Sequence, residues 1–463
     1  MSTAPTPAPA TPEHDGLSGP RRSWAVVTVA LGLMMAVLDG SIANLALPTL
    51  AREFQVSASA SIWVVNAYQL AVTISLLPLA ALGEILGYRR VYLAGLTLFT
   101  AASLACAMSH SLEALTAARI AQGFGAAGMM SVNSALVRFI YPRALLGRGF
   151  GVNVMVGSVS SATGPSLAAA ILSVAGWQWL FAVNVPIGLL VLLMGARTLP
   201  DTPRGSHRFD WGSAALNALT FGLLISGVDG IGHGGDRTMA ALMILGSVVC
   251  GWFLARRQLT RASPLLPVDL LRRPVFALSV AASTCSFAAQ ATAFVTLPFY
   301  LEQSIGLSRT QTGLLMTPWP LTVALVAPLA GRLSDRFSPG RMGGLGQALM
   351  VLGLVLLALL PDSPALWDIA WRMSLCGIGF GLFNSPNNRT MMAAAPANRS
   401  GGASGMQATS RLLGQTLGTA LVALLFGMLS TGGTHAALAM AAGFSFLAAI
   451  LSVLRSGGRA PEG

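Results

Sequence analysis

Asp39 and Arg119 stand inside long apolar stretches of a 463-residue chain, and their types suit reversible proton binding. Asp39 lies about fifteen residues into the stretch 24–48, and Arg119 lies early in the stretch 113–137. A carboxyl group whose charge depends on its exposure and its partner can take up a proton in one setting and give it up in another. An Asp at the centre of a hydrocarbon-embedded helix costs about 2.5–3.5 kcal/mol, so it requires a cavity or a cation beside it. If the two stretches run in opposite directions across a bilayer, Arg119 reaches a depth close to that of Asp39. The two are therefore expected to pair, and making and breaking that pair would be a proton switch.

A second set of charges forms a turn that occurs twice. Glu84, Arg89 and Arg90 follow Pro78, and Asp335, Arg336 and Arg341 follow Pro328, about 250 residues later. Each copy sits between two long apolar stretches. Carboxylates at such a rim can rest against helix N-termini or against arginines of an opposing bundle, so these six residues are candidates for a gate.

The elements that must position these residues are membrane spans. The chain is 54% hydrophobic and only 10% charged, with a mean hydropathy of +0.68; a soluble domain carries about 25% charged residues. Apolar stretches fall near 24–48, 61–82, 91–109, 113–137, 149–175, 178–198, 210–232, 238–255, 276–301, 311–332, 342–361, 365–388, 403–428 and 435–455. These predict about fourteen helices, each long enough to cross about 30 Å of hydrocarbon.

All 28 basic residues are arginine, and they recur in every second loop, beginning with Arg21 and Arg22 and ending with Arg455 and Arg459. By the positive-inside rule both termini are expected in the cytoplasm. The repeated turn then divides the chain into six-helix bundles at 24–199 and 276–456. An inserted helix pair with its linkers occupies 200–275, and short cytoplasmic tails lie at 1–23, read as disordered, and 457–463.

These residues resemble the major facilitator superfamily, in particular its fourteen-spanner drug:proton antiporter family. The run from Asp39 through Asn44 to Pro48 resembles that family's first-helix signature. The turns at Glu84–Arg90 and Gly331–Arg341 resemble the superfamily's loop motif and its second copy, although Ile85 stands where an arginine is usual. Arg119, Gln122, Gly123 and Gly125 resemble the proton-transfer motif. Gly164-Pro165 resembles the antiporter motif and predicts a kink in the fifth span. Trp177 to Gly188 is similar to the start of the family's sixth helix. The resemblance covers about residues 24–456. It implies an all-α membrane protein of the major facilitator fold, exporting lipophilic, cationic drugs or other toxic small molecules in exchange for protons by alternating access.

Cargo contacts are expected from Asn44, Gln122, Phe287, Gln290, Trp319, Asn384, Asn387 and Gln415, with Glu302 at the outer rim, as polar or aromatic groups inside apolar spans. Asn384 and Asn387 belong to an unusually polar run, Phe383–Asn388. Gly151, Gly157 and Gly164 line up small residues for close helix approach.

The remaining features narrow the class. No Gly-rich phosphate-binding loop ending in Lys is present, since the chain has no lysine, and no nucleophile triad stands out, so no enzyme activity and no cofactor are expected. Cys106, Cys250, Cys285 and Cys376 are dispersed, with no metal-ligand spacing. The arginines form no basic face with interleaved aromatics, which argues against nucleic acid. The expected partners are a small-molecule substrate, protons and the lipid bilayer, with a monomer in a bacterial cytoplasmic membrane. Competing readings are an exporter dedicated to one metabolite or antibiotic, a proton-coupled importer, and a transport-inactive membrane sensor.

Overall fold

The structure is a computed structural model that describes residues 16–56, 58–205, 208–232, 237–259, 264–265, 267–361, 364–428 and 433–457. The described residues are helical almost throughout. In chain order the helices are α1 (Gly19–Glu53), α2 (Ala58–Leu86), α3 (Tyr88–Ala107), α4 (Leu112–Ile140), α5 (Leu146–Val174), α6 (Trp179–Ala182), α7 (Asn184–Thr198), α8 (Trp211–Gly232) and α9 (Arg237–Gln258). They continue with α10 (Val268–Leu271), α11 (Pro274–Phe299), α12 (Arg309–Met316), α13 (Pro318–Ser334), α14 (Pro339–Ala358), α15 (Leu366–Ala394), α16 (Ser400–Met428) and α17 (Gly433–Gly457).

Local chemistry sets many of the boundaries. Pro20 opens α1, where its missing N–H costs nothing, so the helix begins inside the tail expected at 1–23, whose first fifteen residues lie outside the described ones. The Ser111 side chain caps α4 by accepting from the Ala114 N–H. Gly87 has φ +94° and makes the one-residue turn between α2 and α3, a conformation disfavoured for side chains with a Cβ.

Two expected spans are each two helices. The stretch 178–198 breaks at Val183 between α6 and α7. The stretch 311–332 breaks at Thr317, because Pro318 and Pro320 supply no N–H to a continuing helix.

Helices α1, α2, α3, α4, α5 and α7 pack among themselves, as do α11, α13, α14, α15, α16 and α17. The sets meet where α5 crosses α13 and α15, and where α16 crosses α2 and α4. Helices α8 and α9 pair with each other, and α8 leans on α2 and α16. Large apolar side chains such as Leu193, Leu245, Leu329 and Val453 face outward, as a hydrocarbon solvent requires.

Among the described residues, ten helical stretches are long and apolar enough to cross a membrane, against the fourteen expected. The other long helices are α4, α5, α8 and α15, of 22 to 29 residues. Polar residues facing protein rather than lipid dilute the hydropathy of two of them, as with Arg119 and Gln122 on α4 and Asn384, Asn387 and Asn388 on α15.

Candidate functional site

Asp39 is buried and its carboxylate is surrounded by donors. Arg119 Nη1 donates to Asp39 Oδ2 in a fully buried ion pair. Gln122 Nε2 and Asn184 Nδ2 donate to Oδ1 at 2.8 and 3.0 Å. Helices α1, α4 and α7 thus converge on one side chain, and the break at Val183 places Asn184 at the start of α7. Arg119 is held in turn by the Val64 carbonyl at 3.1 Å and by Gln122 Oε1 at 2.7 Å. Its guanidinium carbon lies 4.1 Å from the Tyr68 ring centroid, a cation–π contact that covers its free side.

The expected contact between Asp39 and Arg119 is therefore present, with two further partners. Gln122, expected to touch cargo, instead serves Asp39 and bonds the Ser103 hydroxyl at 2.9 Å. Asn184 went unassigned in the sequence, although it stands in the motif that opens the sixth span.

A cavity of about 360 Å³ opens beside this cluster, lined by residues of α1, α4, α5, α11, α13, α15 and α16. Phe287, Gln290, Asn384 and Gln415 line it as expected of cargo contacts. Asp39 does not. Leu33 and Val37 present one face of α1 to the cavity, and Asp39 lies about 200° round the helix from Val37. Trp319 is fully buried against Phe294, with ring centroids 5.1 Å apart, and lies outside the lining. Asn387 also lies outside it, where it donates to the Ser279 carbonyl and accepts from Arg455. Glu302 sits in a π-helical turn, Tyr300–Ser304, away from the cavity. The side chains of Asn44 and Pro165 lie outside the described residues; α5 runs on through Gly164 and Pro165 as helix.

The cavity carries a charge that was missed. Arg411, the twelfth residue of the 29-residue α16, lines it. No Asp or Glu shares the lining, so the charge runs opposite to the cationic cargo expected from the sequence. An arginine in the middle of an apolar span was itself the signal for this residue.

The carboxylates of the charged turns meet donors on other helices. Glu84 Oε1 accepts the Gly402 N–H at 2.7 Å, and Oε2 accepts Arg399 Nη1 at 2.5 Å. Arg399 also pairs with Asp269 at 2.9 Å. In the second copy, Asp335 Oδ1 accepts the Gly147 N–H at 3.0 Å and pairs with Arg389 at 3.4 Å. Arg138 donates to the Ala395 carbonyl at 2.7 Å, tying the end of α4 to the end of α15. A shared apolar layer containing Tyr88, Ile140, Phe276, Met391 and Met392 lies in the same region.

The arginines expected in the gate behave differently from its carboxylates. Arg89 bonds the Ala196 carbonyl near the end of α7 at 2.5 Å and Asp201 just beyond α7 at 2.7 Å, so it stays with its own helix set. Arg90, Arg336 and Arg341 are exposed and make no ion pair among the described residues. Arg399 and Arg138 bridge the sets instead, while Arg389 joins α15 to Asp335 within its own set.

An all-helical array with lipid-facing apolar side chains, an interior ion pair and a central cavity defines a multi-pass transporter of small molecules. The chain belongs to the Major Facilitator Superfamily, whose model matches residues 29–419. It is 54% identical to the uncharacterized transporter YebQ of Escherichia coli over 96% of this chain and 97% of that one. It is 32% identical to the riboflavin transporter RibZ of Clostridioides difficile, covering 88% and 89% of the two chains. With the multidrug resistance protein Stp of Mycobacterium tuberculosis the identity is 33%, over 86% and 74%. The fold matches that of the human organic anion transporter MFSD10, with a TM-score of 0.69 at 18% identity over 94% and 100% of the chains. Membership in a transporter family agrees with a protein that is not an enzyme.

Proposed function

We propose that this protein exports lipophilic small molecules from a bacterial cytoplasm in exchange for protons, by alternating access around the cavity. The observation that carries the reading is the buried ion pair of Asp39 and Arg119 inside the helix array. Removing one partner of such a pair leaves an uncompensated buried charge and costs about 3–5 kcal/mol. Protonating Asp39 removes its charge without removing the residue, which releases Arg119 and frees α1, α4 and α7 to rearrange. Glu84, Asp335 and their partners serve as the inner gate. On this reading α4, α5, α8 and α15 also cross the bilayer, giving fourteen spans. Two six-helix bundles then occupy 24–199 and 276–456, both termini are cytoplasmic, and the protein acts as a monomer.

Likeness to a multidrug resistance protein supports export of several compounds. A second reading, a transporter dedicated to one metabolite, is favoured by the cavity's amides, including Asn133, Gln290, Asn384 and Gln415, and by likeness to a riboflavin transporter. A cationic drug would need a carboxylate or an aromatic cage, and the cavity supplies no carboxylate.

The test is efflux of lipophilic fluorescent dyes of differing charge from energised cells. The expected result is efflux by expressing cells that collapses on adding a protonophore. Efflux that persists after the proton gradient is abolished would exclude proton coupling.

A further inference from the structure

The cavity's own chemistry assigns a class of cargo, and the inference rests on reading this cavity as the cargo site. Arg411 is the only charged side chain in its lining, and no hydrogen bond or ion pair reaches it among the described residues. Arg411 is partly buried, and each buried arginine described has such a partner: Arg119 has Asp39, Arg399 has Glu84 and Asp269, and Arg455 has Asn387 and the Ser279 hydroxyl. A guanidinium stays charged and offers a planar fork of donors that matches a carboxylate or similar oxyanion. Placed at mid-span with nothing to neutralise it, it is costly unless a ligand or water meets it.

Two further features surround it. Phe287, Phe294 and Phe380 form an aromatic wall, with Phe287 and Phe380 packed edge to face at 5.3 Å. The same space is lined by residues with polar atoms that find no partner in the protein, namely Asn133 Oδ1, Asn384 Oδ1, Ser404 Oγ and Gln407 Oε1. Buried polar groups are nearly always paired, so these are positions a hydrogen-bonding ligand would complete.

We propose that the cargo is an aromatic organic anion, held by a carboxylate or equivalent oxyanion on Arg411, with its ring system against the phenylalanine wall and its hydrogen-bonding groups on the amides. The single positive charge disfavours simple lipophilic cations. The aromatic wall sets the cargo apart from inorganic anions, and the scattered amides set it apart from a plain hydrocarbon tail.

The experiment uses the full-length protein in detergent micelles and three probes on one frame: 2-naphthoate, 2-naphthamide and 2-naphthylmethylammonium. Dissociation constants are measured by titration calorimetry for the wild type, Arg411→Gln and Arg411→Lys. The expected result is naphthoate binding at least tenfold tighter than the amide, with the ammonium weakest. Arg411→Gln should erase that preference while amide binding persists, which also shows that the variant is folded, and Arg411→Lys should keep part of it. Equal binding of acid and amide by the wild type overturns the proposal, as does an unchanged preference in Arg411→Gln. Displacement of naphthoate by phosphatidylglycerol, but not by further aromatic acids, would give the site to a lipid headgroup and would also overturn it. None of these outcomes depends on proton coupling, so failure here leaves the exchange mechanism standing, and failure of coupling leaves this assignment standing.

Discussion

Glu84 and Asp335, about 250 residues apart, make the same contact in opposite directions. Glu84 at the end of α2 accepts an N–H from the first turn of α16, and Asp335 just after α13 accepts one from the first turn of α5. Each carboxylate also meets an arginine of the α11–α17 portion, Arg399 or Arg389. The helix N-terminus carries a partial positive charge, so each contact is favourable even before the arginine is counted. The two together fasten one end of the molecule at reciprocal points.

Neutralising both carboxylates should open that end. In a cysteine-free background carrying Ser134→Cys in the cavity wall, Glu84→Gln with Asp335→Asn is expected to raise labelling by a membrane-impermeant maleimide several-fold from the cytoplasmic face. Unchanged labelling would mean that the apolar layer around Tyr88 and Met391 holds the end shut without them.

The crossing of α5 and α13 leaves no room for a side chain. A Cβ on Gly147 would lie 2.2 Å from the Gly331 carbonyl oxygen, and neither backbone can yield without moving a helix. Gly147→Val should therefore destabilise the closed form by about 1–3 kcal/mol. Thermal unfolding in micelles should show a lower Tm, and cytoplasmic labelling of Ser134→Cys should rise. Gly157→Ala, which meets nothing within 4 Å, should change neither.

Cargo charge sets how much of the membrane potential transport can use. One anion leaving for one proton entering moves two charges inward, worth about 4.6 kcal/mol per 100 mV, against about 2.3 for a neutral cargo and none for a monocation. In proteoliposomes with no pH difference, a potassium–valinomycin potential should therefore drive naphthoate accumulation on the side equivalent to the outside. Accumulation that ignores the potential would contradict either the anionic cargo or the exchange with a proton.

The sequence made the chemistry of single residues legible more readily than their direction. The contact between Asp39 and Arg119 follows from their depth and opposite charge, because a buried ion in hydrocarbon demands a partner. Which face a residue takes does not follow. Gln122, Trp319 and Asn387 are the right kinds of residue for a binding wall, yet each turns toward a neighbouring helix. The carboxylates that reach across to the other helix set were recognisable from the repeated turn. Their arginine was not, since Arg399 is 315 residues from Glu84 and only the packing of α2 on α16 joins them. Arg411 was within reach of the same rule that singled out Asp39, since it too stands inside an apolar span. Proline explains both splits: Pro318 and Pro320 follow Thr317, and Pro186 follows Val183 and offers no N–H to the Ala182 carbonyl.

The most direct test of exchange through Asp39 compares two reactions of the same proteoliposomes, substrate counterflow and proton-driven accumulation, for wild type and Asp39→Asn. Asparagine imitates the protonated carboxyl in size and cannot ionise, so the variant should retain counterflow while losing accumulation driven by a pH gradient. Gradient-driven accumulation that survives in Asp39→Asn would contradict the assignment of Asp39 as the proton carrier.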